Sequence, residues 1–435
     1  MNPLESKRIS DTIDQALKAE KAARDGVRHK QRKILVLGQS ESGKSTLIKQ
    51  FRLLHSTETF AAERQSWKSI IYLNIIRSIW KVIEIVSARF NLTSPTDDDS
   101  QNLARLRLRL MPLQSVELSI VRSLSSPREV VRTRSKGRGG EKGSESEMDK
   151  EYDDVLVHPD SIWQRLRQRC AHATDMAKPN TSLAAQSEEV TVNTDDPSRT
   201  LQACAADIKQ LWRCSVVREC LKQAGLFIED LSGFFLDDIE RIASPGYVPT
   251  DDDILRSRIK TIGPTETILP CEELGIDWKI YDVGGVRRQR AKWAPFFDDM
   301  DSLVVMVPVS AFNQVLVEEP SVNRLQDSFE IWRELCQTVV LHHIPVLLFF
   351  NKIDILKKKL HTGIMLSKYL LSYGDRPNEL KSVLKFLKAR FVALRKRSGA
   401  HSPCFIHCTS IVDRGTTQII VAHVRDKVGG LGACL

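Results

Sequence analysis

The sequence predicts an α/β fold, in which a mostly parallel sheet carries helices on both faces and is interrupted by an all-α domain. Three observations predict it. An apolar run at residues 34–37, a glycine-containing loop and an amphipathic helix follow one another early in the chain. Short apolar strands alternate with helical patterns beyond Pro249. A long helical pattern, residues 60–90, is apolar around most of its circumference, which is typical of the central helix of a bundle.

The loop after the first strand fits the phosphate-binding pattern G-x-x-x-x-G-K-[ST] at residues 38–45. Gly38 and Gly43 permit the turns that point several backbone N–H groups at a phosphate, and the following helix adds the positive end of its dipole. Lys44 can reach the outer phosphates, and the Ser45 hydroxyl can bind Mg²⁺. A Gly-Lys-Ser turn without function is the alternative, but the flanking strand and helix argue against it. The sequence therefore predicts a nucleotide site.

Two further motifs indicate which nucleotide binds. Asn351, Lys352 and Asp354 directly follow a predicted strand at residues 345–350. A carboxylate at this place can accept hydrogen bonds from N1–H and the 2-amino group of guanine, and adenine offers neither donor in that arrangement. Asp282 and Gly285 follow another strand, where the carboxylate can hold Mg²⁺ through water and the glycine lets a backbone N–H approach the terminal phosphate. We expect GTP, and a P-loop ATPase or kinase is disfavoured.

Composition limits the remaining classes. The chain has 435 residues, 42% of them hydrophobic, and a net charge of +9, which is ordinary for a globular protein of two or three domains. No nucleic-acid partner is expected, whereas an anionic membrane or an acidic partner is compatible with this charge. The nine cysteines form no paired metal-binding array and indicate reduced thiols. We expect a cytoplasmic protein, and a peripheral contact with the inner face of the plasma membrane stays open.

Changes of pattern along the chain suggest four segments. We predict an N-terminal helix at 1–32, the first part of the sheet domain at 33–58, a helical domain at 59–248 and the second part of the sheet domain at 249–435. Within the helical domain, the polar and highly charged residues 123–200 are predicted to be disordered. Further helices are expected at 103–121, 205–221, 228–242, 321–341, 378–397 and 417–428, and further strands at 267–269, 278–281, 302–309 and 404–408.

Together these segments resemble the α subunits of heterotrimeric G proteins. GQSESGKSTLIKQFRLLH resembles their phosphate loop and first helix, ILRSRIKTIG their first switch, YDVGGVRRQRAKW their second switch and FFNKID their guanine motif. LWRCSVVREC resembles the end of their helical domain. The resemblance covers most of the chain except about 91–204 and the last dozen residues. It implies a Ras-like sheet domain interrupted by a helical domain, with GTP or GDP and Mg²⁺ as ligands.

The resemblance also implies roles for individual residues. Arg258 would be the arginine that stabilises charge on the transferring phosphoryl group. Ser45 and Thr261 would bind Mg²⁺, and Arg290 would pair with Asp327 when the terminal phosphate is bound. The nucleotide would be contacted by Glu41, Ser42, Gly43, Lys44, Ser45, Thr46, Ser215, Leu255, Arg256, Arg258, Thr261, Asp282, Gly285, Asn351, Lys352, Asp354 and Thr409.

Two positions depart from the family pattern where the chemistry takes place. The family carries a glutamine that orients the attacking water, and Val286 stands at that position here. The family also has a glycine where this chain has Ser40, and a side chain there crowds the terminal phosphate. Losing the water-orienting group alone costs about 3–5 kcal/mol of barrier lowering. We therefore predict a slow GTPase, with a GTP-binding pseudoenzyme or scaffold as the alternative.

The implied partners are a βγ dimer, a G-protein-coupled receptor and an effector protein. The chain starts Met1-Asn2-Pro3, without the glycine that N-myristoylation needs. Residues 428–435 contain three glycines, which disfavour the helix that the family uses to contact its receptor. Conventional receptor coupling is therefore in question.

Overall fold

The computed structural model describes residues 31–55, 60, 63–90, 97–124, 196–224, 233–259, 264–271 and 275–410. The chain divides into two compact units. The first, which we call the sheet unit, comprises Met1–Ser56 and Pro264–Leu435, and the second, the helical unit, comprises Thr57–Gly263.

The sheet unit is built on six strands in the order β2-β3-β1-β4-β5-β6. Every neighbouring pair is parallel except β2 and β3, which are antiparallel. The mostly parallel sheet that the sequence predicted is confirmed. The strands are β1 (Gln31–Gly38), β2 (Thr265–Cys271), β3 (Ile276–Asp282), β4 (Ser302–Pro308), β5 (Val346–Asn351) and β6 (Cys404–Thr409).

Eleven α-helices lie within the described residues. They are α1 (Lys44–His55), α2 (Trp67–Ser87), α3 (Asp98–Leu110), α4 (Pro112–Leu124), α5 (Pro197–Arg213), α6 (Ser215–Gln223), α7 (Ile239–Ile242), α8 (Asp251–Arg256), α9 (Arg324–Gln337), α10 (Ile353–His361) and α11 (Leu380–Arg397). Short 3₁₀ turns lie at Arg64–Ser66, Leu236–Asp238, Arg287–Phe296, Val309–Asn313, Val339–Leu341, Leu366–Lys368 and Leu371–Tyr373.

Two apolar layers cover the sheet, one on each face. On one face, Phe51 of α1 packs edge-to-face on Trp278 of β3, with ring centroids 5.4 Å apart. On the other face, Phe391 of α11 contacts Trp332 of α9 and Phe350 of β5. Because both faces are covered, β4 and β5 are buried along their whole length, which explains their continuous apolar sequences.

The helical unit is organised around α2, which has buried residues on most of its circumference. Helices α4, α5, α6 and α8 all pack against it. The packing of α8 explains why residues 249–263, which we assigned from sequence to the second part of the sheet domain, cluster with the helical unit.

Several local predictions are wrong. The predicted helix 228–242 is absent over its described residues 233–235, because Gly233 adopts φ +86° and donates its N–H to the Arg256 carbonyl. The predicted disordered segment is ordered at both ends: α4 continues to Leu124, and α5 begins at Pro197 after the Asp196 cap.

Strand β1 also occupies the last two residues of the predicted N-terminal helix, since Gln31 and Arg32 pair with β3. Helix α10 was not predicted at all. Predictions for residues 1–30, 125–195 and 411–435 lie outside the described residues.

Candidate nucleotide site

The carboxyl ends of β1, β3, β5 and β6 meet at one edge of the sheet, which is where parallel α/β sheets bind ligands. The loop after β1 makes its turns through positive φ angles at Gly38 (+144°), Glu41 (+61°) and Gly43 (+104°). A Cβ added to Gly43 would lie 2.2 Å from Nδ2 of Asn351. Only glycine fits at this point of the loop.

The phosphate loop and the guanine motif are joined by hydrogen bonds. Asn351 donates from Nδ2 to the Ser42 carbonyl at 2.8 Å, and Thr409 donates from Oγ1 to Asn351 Oδ1 at 3.4 Å. Lys352 takes a left-handed backbone conformation (φ +65°) and starts α10, whose first turn carries the exposed Asp354. The structure therefore brings together the loop and the motif that the sequence predicted would share a nucleotide.

Lys44 is buried beneath the loop. Its Nζ donates to the carbonyls of Gly38 and Gln39 at 2.9 and 2.8 Å. Burial lowers the pKa of Lys44 to about 8; Asp282 opposes this shift, whereas Arg290 and Arg324 add to it. An ammonium group in such surroundings gains stabilisation from any phosphate that reaches it.

The donor set for a cation lies beside Lys44. Ser45 donates from Oγ to Oδ2 of Asp282 at 2.7 Å, and Asp282 is buried, which raises the pKa of its carboxyl group. Oδ1 of Asp282 is buried and has no hydrogen-bond partner among the described residues. A hydroxyl and an unsatisfied carboxylate oxygen fit Mg²⁺.

The sequence also predicts Thr261 as a ligand of the cation. This residue lies outside the described residues. No group of three or more His, Cys, Asp or Glu within the described ranges could hold a metal by itself. A cation here would therefore share phosphate oxygens of the nucleotide.

The second switch touches the phosphate loop through backbone atoms. A Cβ added to Gly285 would lie 2.3 Å from the Gln39 carbonyl carbon, 2.4 Å from the Gly38 oxygen and 2.5 Å from the Ser40 nitrogen. Val286 is half-buried directly after this contact.

The predicted pair of Arg290 and Asp327 is present. The Arg290 guanidinium donates to both carboxylate oxygens of Asp327, at 2.7 and 2.6 Å. Gln39 donates from Nε2 to the same carboxylate at 2.5 Å, so the buried Asp327 holds the second switch and the phosphate loop together.

The remaining predicted site residues belong to the helical unit. Ser215 is exposed at the start of α6, and Leu255 is buried in α8. Arg256 pairs with Asp238 at 2.9 Å and with Asp253 at 3.2 Å, so its charge is already matched by carboxylates. Arg258 follows α8 and is held through its backbone by Asn74 of α2.

Comparison with known proteins decides the family. The model of the family described as "G-protein alpha subunit" matches residues 7–428. The chain belongs to this family. It is 28% identical to the guanine nucleotide-binding protein alpha-4 subunit of Mycosarcoma maydis, with 97% of this chain and 89% of the relative covered. It is also 28% identical to a guanine nucleotide-binding protein subunit alpha of Candida albicans and to the alpha-1 subunit of Saccharomyces cerevisiae, each with 98% of this chain and 94% of the relative covered.

Membership confirms the predicted α/β fold with its helical domain and the predicted guanine-nucleotide ligand. G-protein α subunits bind GTP and GDP, are GTPases in general, and partner with βγ dimers, receptors and effectors. No helix in the described part of this α subunit is both long and apolar enough to cross a membrane.

Three residues of this α subunit that contact site segments were missed by the sequence reasoning. Arg324 at the start of α9 donates to the Ser40 carbonyl at 2.7 Å and pairs with Glu41 at 3.3 Å. Gln289 lies against Gly284, and its Oε1 is buried without a hydrogen-bond partner among the described residues. Asn74 holds Arg258. Their partners are 5 to 284 positions away in sequence, so no local pattern reveals them.

Proposed function

We propose that this α subunit is a GTP/GDP switch in signal transduction that hydrolyses GTP slowly. The observation that carries the proposal is Val286. It directly follows Gly285, whose backbone lies against the phosphate loop, so residue 286 stands at the edge of that contact. A valine side chain has no group that can orient water, and the family relies on a glutamine here.

Ser40 supports the same conclusion. Its backbone nitrogen is one of the atoms nearest to Gly285, and its carbonyl is held by Arg324. A hydroxymethyl group at this closest approach takes space that a glycine would leave for the terminal phosphate and the attacking water. Both departures from the family therefore act against the same step.

The rest of the proposed site follows from the family and the observed contacts. Asp282 and Ser45, with Thr261, would hold Mg²⁺, which stabilises charge on the phosphates when bound. Arg258 would supply the positive charge for the transferring phosphoryl group, and Lys44 would bind the outer phosphates. The residues proposed to contact the nucleotide are Glu41, Ser42, Gly43, Lys44, Ser45, Thr46, Ser215, Leu255, Arg256, Arg258, Thr261, Asp282, Gly285, Asn351, Lys352, Asp354 and Thr409.

The proposed partners are a βγ dimer and an effector, which would respond to reshaping of residues 256–265 and 284–293. Coupling to a G-protein-coupled receptor stays in question. We further propose a cytoplasmic location with a peripheral contact at an anionic membrane surface.

Single-turnover hydrolysis of GTP tests the central proposal. We expect slow turnover by the natural protein and a gain of at least about 100-fold in the Val286→Gln, Ser40→Gly double variant, since a water-orienting group is worth a few powers of ten. Val315→Gln, at an exposed valine of the sheet unit, is the matched control and should change nothing. Turnover by the natural protein at the rate of an ordinary family member would refute slow hydrolysis. No gain in the double variant, with GTP still bound, would favour the scaffold alternative.

A further inference from the structure

We propose that the lysine-bearing side of α11 binds anionic membrane lipids. The proposal rests on the peripheral membrane contact proposed above and assigns it to particular residues. Helix α11 contains seven Lys and Arg residues and no Asp or Glu in its 18 residues. The surrounding stretch 352–397 has 13 Lys and Arg against three Asp and Glu. Its net charge of +10 accounts for the whole excess of a chain whose total is +9.

The four lysines of α11 lie on one side of the helix. Its buried side is formed by Val383, Leu387 and Phe391, which face the core of the sheet unit. The exposed residues on the opposite side are three or four positions apart, which is the spacing of a single helical face. None of its lysines forms an ion pair with a carboxylate of the described residues. The exposed side carries Lys381, Lys385, Lys388, Val392 and Lys396.

One apolar side chain lies among these lysines. Val392 is 39% exposed and falls between Lys388 and Lys396 on the same side of α11. The turn Leu371–Tyr373 contacts a different side of the helix, where Ser372 accepts a hydrogen bond from Arg390. A row of lysines around an exposed apolar side chain is a combination that holds proteins at anionic bilayers.

The shape and chemistry of this face favour a bilayer over a folded partner. It is the outer side of one helix, opposite the residues that pack on the core of the sheet unit. Its cations are mainly lysines, which are compact charges on flexible stems and lack the planar fork with which arginine grips carboxylates in pairs. The exposed residues of α11 include no aromatic side chain on which a nucleic-acid base could stack.

Co-sedimentation of the full-length protein with vesicles tests the proposal. We expect binding to phosphatidylcholine vesicles that contain phosphatidylserine, at least about tenfold weaker binding to pure phosphatidylcholine, and loss of the difference at high salt. Equal binding to both vesicle types, or stronger binding to heparin or duplex DNA than to the anionic vesicles, would overturn the assignment.

Charge variants locate the face. The triple variant Lys381→Glu, Lys385→Glu, Lys396→Glu should bind the anionic vesicles at least about tenfold more weakly. The control triple Arg105→Glu, Arg122→Glu, Lys222→Glu removes as much positive charge at exposed positions of the helical unit and should bind like the natural protein. Val392→Ser should weaken binding without changing its salt dependence. An equal loss in both triples would show that only net charge matters.

Two accompanying measurements keep the outcomes separable. GTP binding and thermal unfolding of every variant should match those of the natural protein, because none of the substituted residues contacts the nucleotide site. If the natural protein binds anionic vesicles and the α11 triple variant binds them equally well, the protein does contact the membrane but not through α11. If the protein does not bind GTP while vesicle binding behaves as expected, the proposed GTP/GDP switch is wrong and the assignment of the membrane contact to α11 is supported.

Discussion

Arg258 is held by two hydrogen bonds from a single side chain. Asn74 accepts the Arg258 backbone N–H at Oδ1 (2.7 Å) and donates from Nδ2 to the Arg258 carbonyl (3.0 Å). Asn74 is buried, and Gly233 packs so closely on it that an added Cβ would lie 2.6 Å from its Oδ1. The backbone from which the proposed catalytic arginine extends is therefore fixed by α2.

We expect Asn74→Ala to slow single-turnover GTP hydrolysis by about 10- to 100-fold, because it removes the two hydrogen bonds that hold the Arg258 backbone on α2. Quench-flow measurement with prebound GTP reports this step. Ser78→Ala, one turn further along α2, is the control, since the Ser78 hydroxyl donates to the Asn74 carbonyl and not to Arg258 among the described residues. An unchanged rate in Asn74→Ala would contradict a positioning role.

Lys44 makes nucleotide affinity depend on pH. Its pKa is lowered to about 8 by burial in the protein without nucleotide, and phosphate oxygens favour the protonated form. Binding above pH 8 must therefore take up a proton, so affinity should be flat below about pH 8 and fall by up to about tenfold per pH unit above it.

Calorimetric titration with GTP in buffers of different ionisation enthalpy measures both the affinity and the proton uptake. In Lys44→Gln the affinity should be weak at every pH and no proton should be taken up through this residue. Constant affinity from about pH 7 to about pH 9 would show that Lys44 is charged in both states.

At the scale of elements, Asp253 holds the segment around α8 together. It is fully buried, and its carboxylate accepts hydrogen bonds from Arg241 (2.7 and 2.9 Å), Tyr247 (2.9 Å), Arg256 (3.2 Å) and the Thr250 backbone (3.0 Å). Burial alone would raise the pKa of Asp253, but these donors lower it well below its usual range.

Asp253→Asn should destabilise the helical unit by about 2–3 kcal/mol, because it removes the negative charge from hydrogen bonds with two arginines that remain partly exposed. The exposed neighbour, in Asp252→Asn, serves as the control. Because the folded pKa is depressed, the stability from Asp253 is present at neutral pH and lost as pH falls below about 4. Thermal unfolding against pH should show this loss in the natural protein and not in Asp253→Asn.

The sequence predicts elements well where apolar periodicity is long or continuous, as in α2, β4 and β5. Prediction from sequence fails where one or two capping or turn residues determine whether a helix forms. The Asp196-Pro197 pair starts α5 inside a polar stretch that composition alone assigns to disorder. Gly233 breaks an otherwise helical pattern because its left-handed backbone brings its N–H to Arg256.

The residues of the nucleotide site likewise divide into those that a sequence motif reveals and those that only the fold reveals. The phosphate loop, Asp282, Gly285 and the guanine motif have fixed spacings that chain chemistry imposes, and the sequence contains all of them. Asn74, Arg324 and Gln289 act through contacts that only the fold creates. The pairing of Arg256 with carboxylates was likewise not predicted, since the family resemblance assigned no role to Asp238 or Asp253.

At the scale of the whole molecule, we expect the stability of the two units to respond to different conditions. The sheet unit carries Lys44 and Asp282, which are proposed to bind the nucleotide and Mg²⁺, whereas the helical unit carries the buried Asp253 and its hydrogen-bond donors. Any ligand that binds only the folded chain stabilises it by mass action, about 2.7 kcal/mol at a hundredfold excess over Kd.

We therefore expect GDP with Mg²⁺ to raise the unfolding temperature, and ATP at the same concentration to leave it unchanged, because the proposed role of Asp354 is to select guanine. Chelation of Mg²⁺ should reduce the shift that GTP produces. Asp354→Ala is the control that should abolish the guanine preference while retaining the fold, since Asp354 is exposed. Equal shifts by ATP and GTP would contradict the assignment of the guanine motif.

The contact between Gly285 and residues 38–40 is made by main-chain atoms on both sides. Main-chain atoms are the same in every residue, so mutation cannot tune this contact gradually; it can only keep the glycine or push the two segments apart. The side chains of Ser40 and Val286, unlike the main chain beside them, can vary without moving the two segments. We therefore expect changes at these side chains to alter how long the GTP-bound state lasts while the segments meet in the same way.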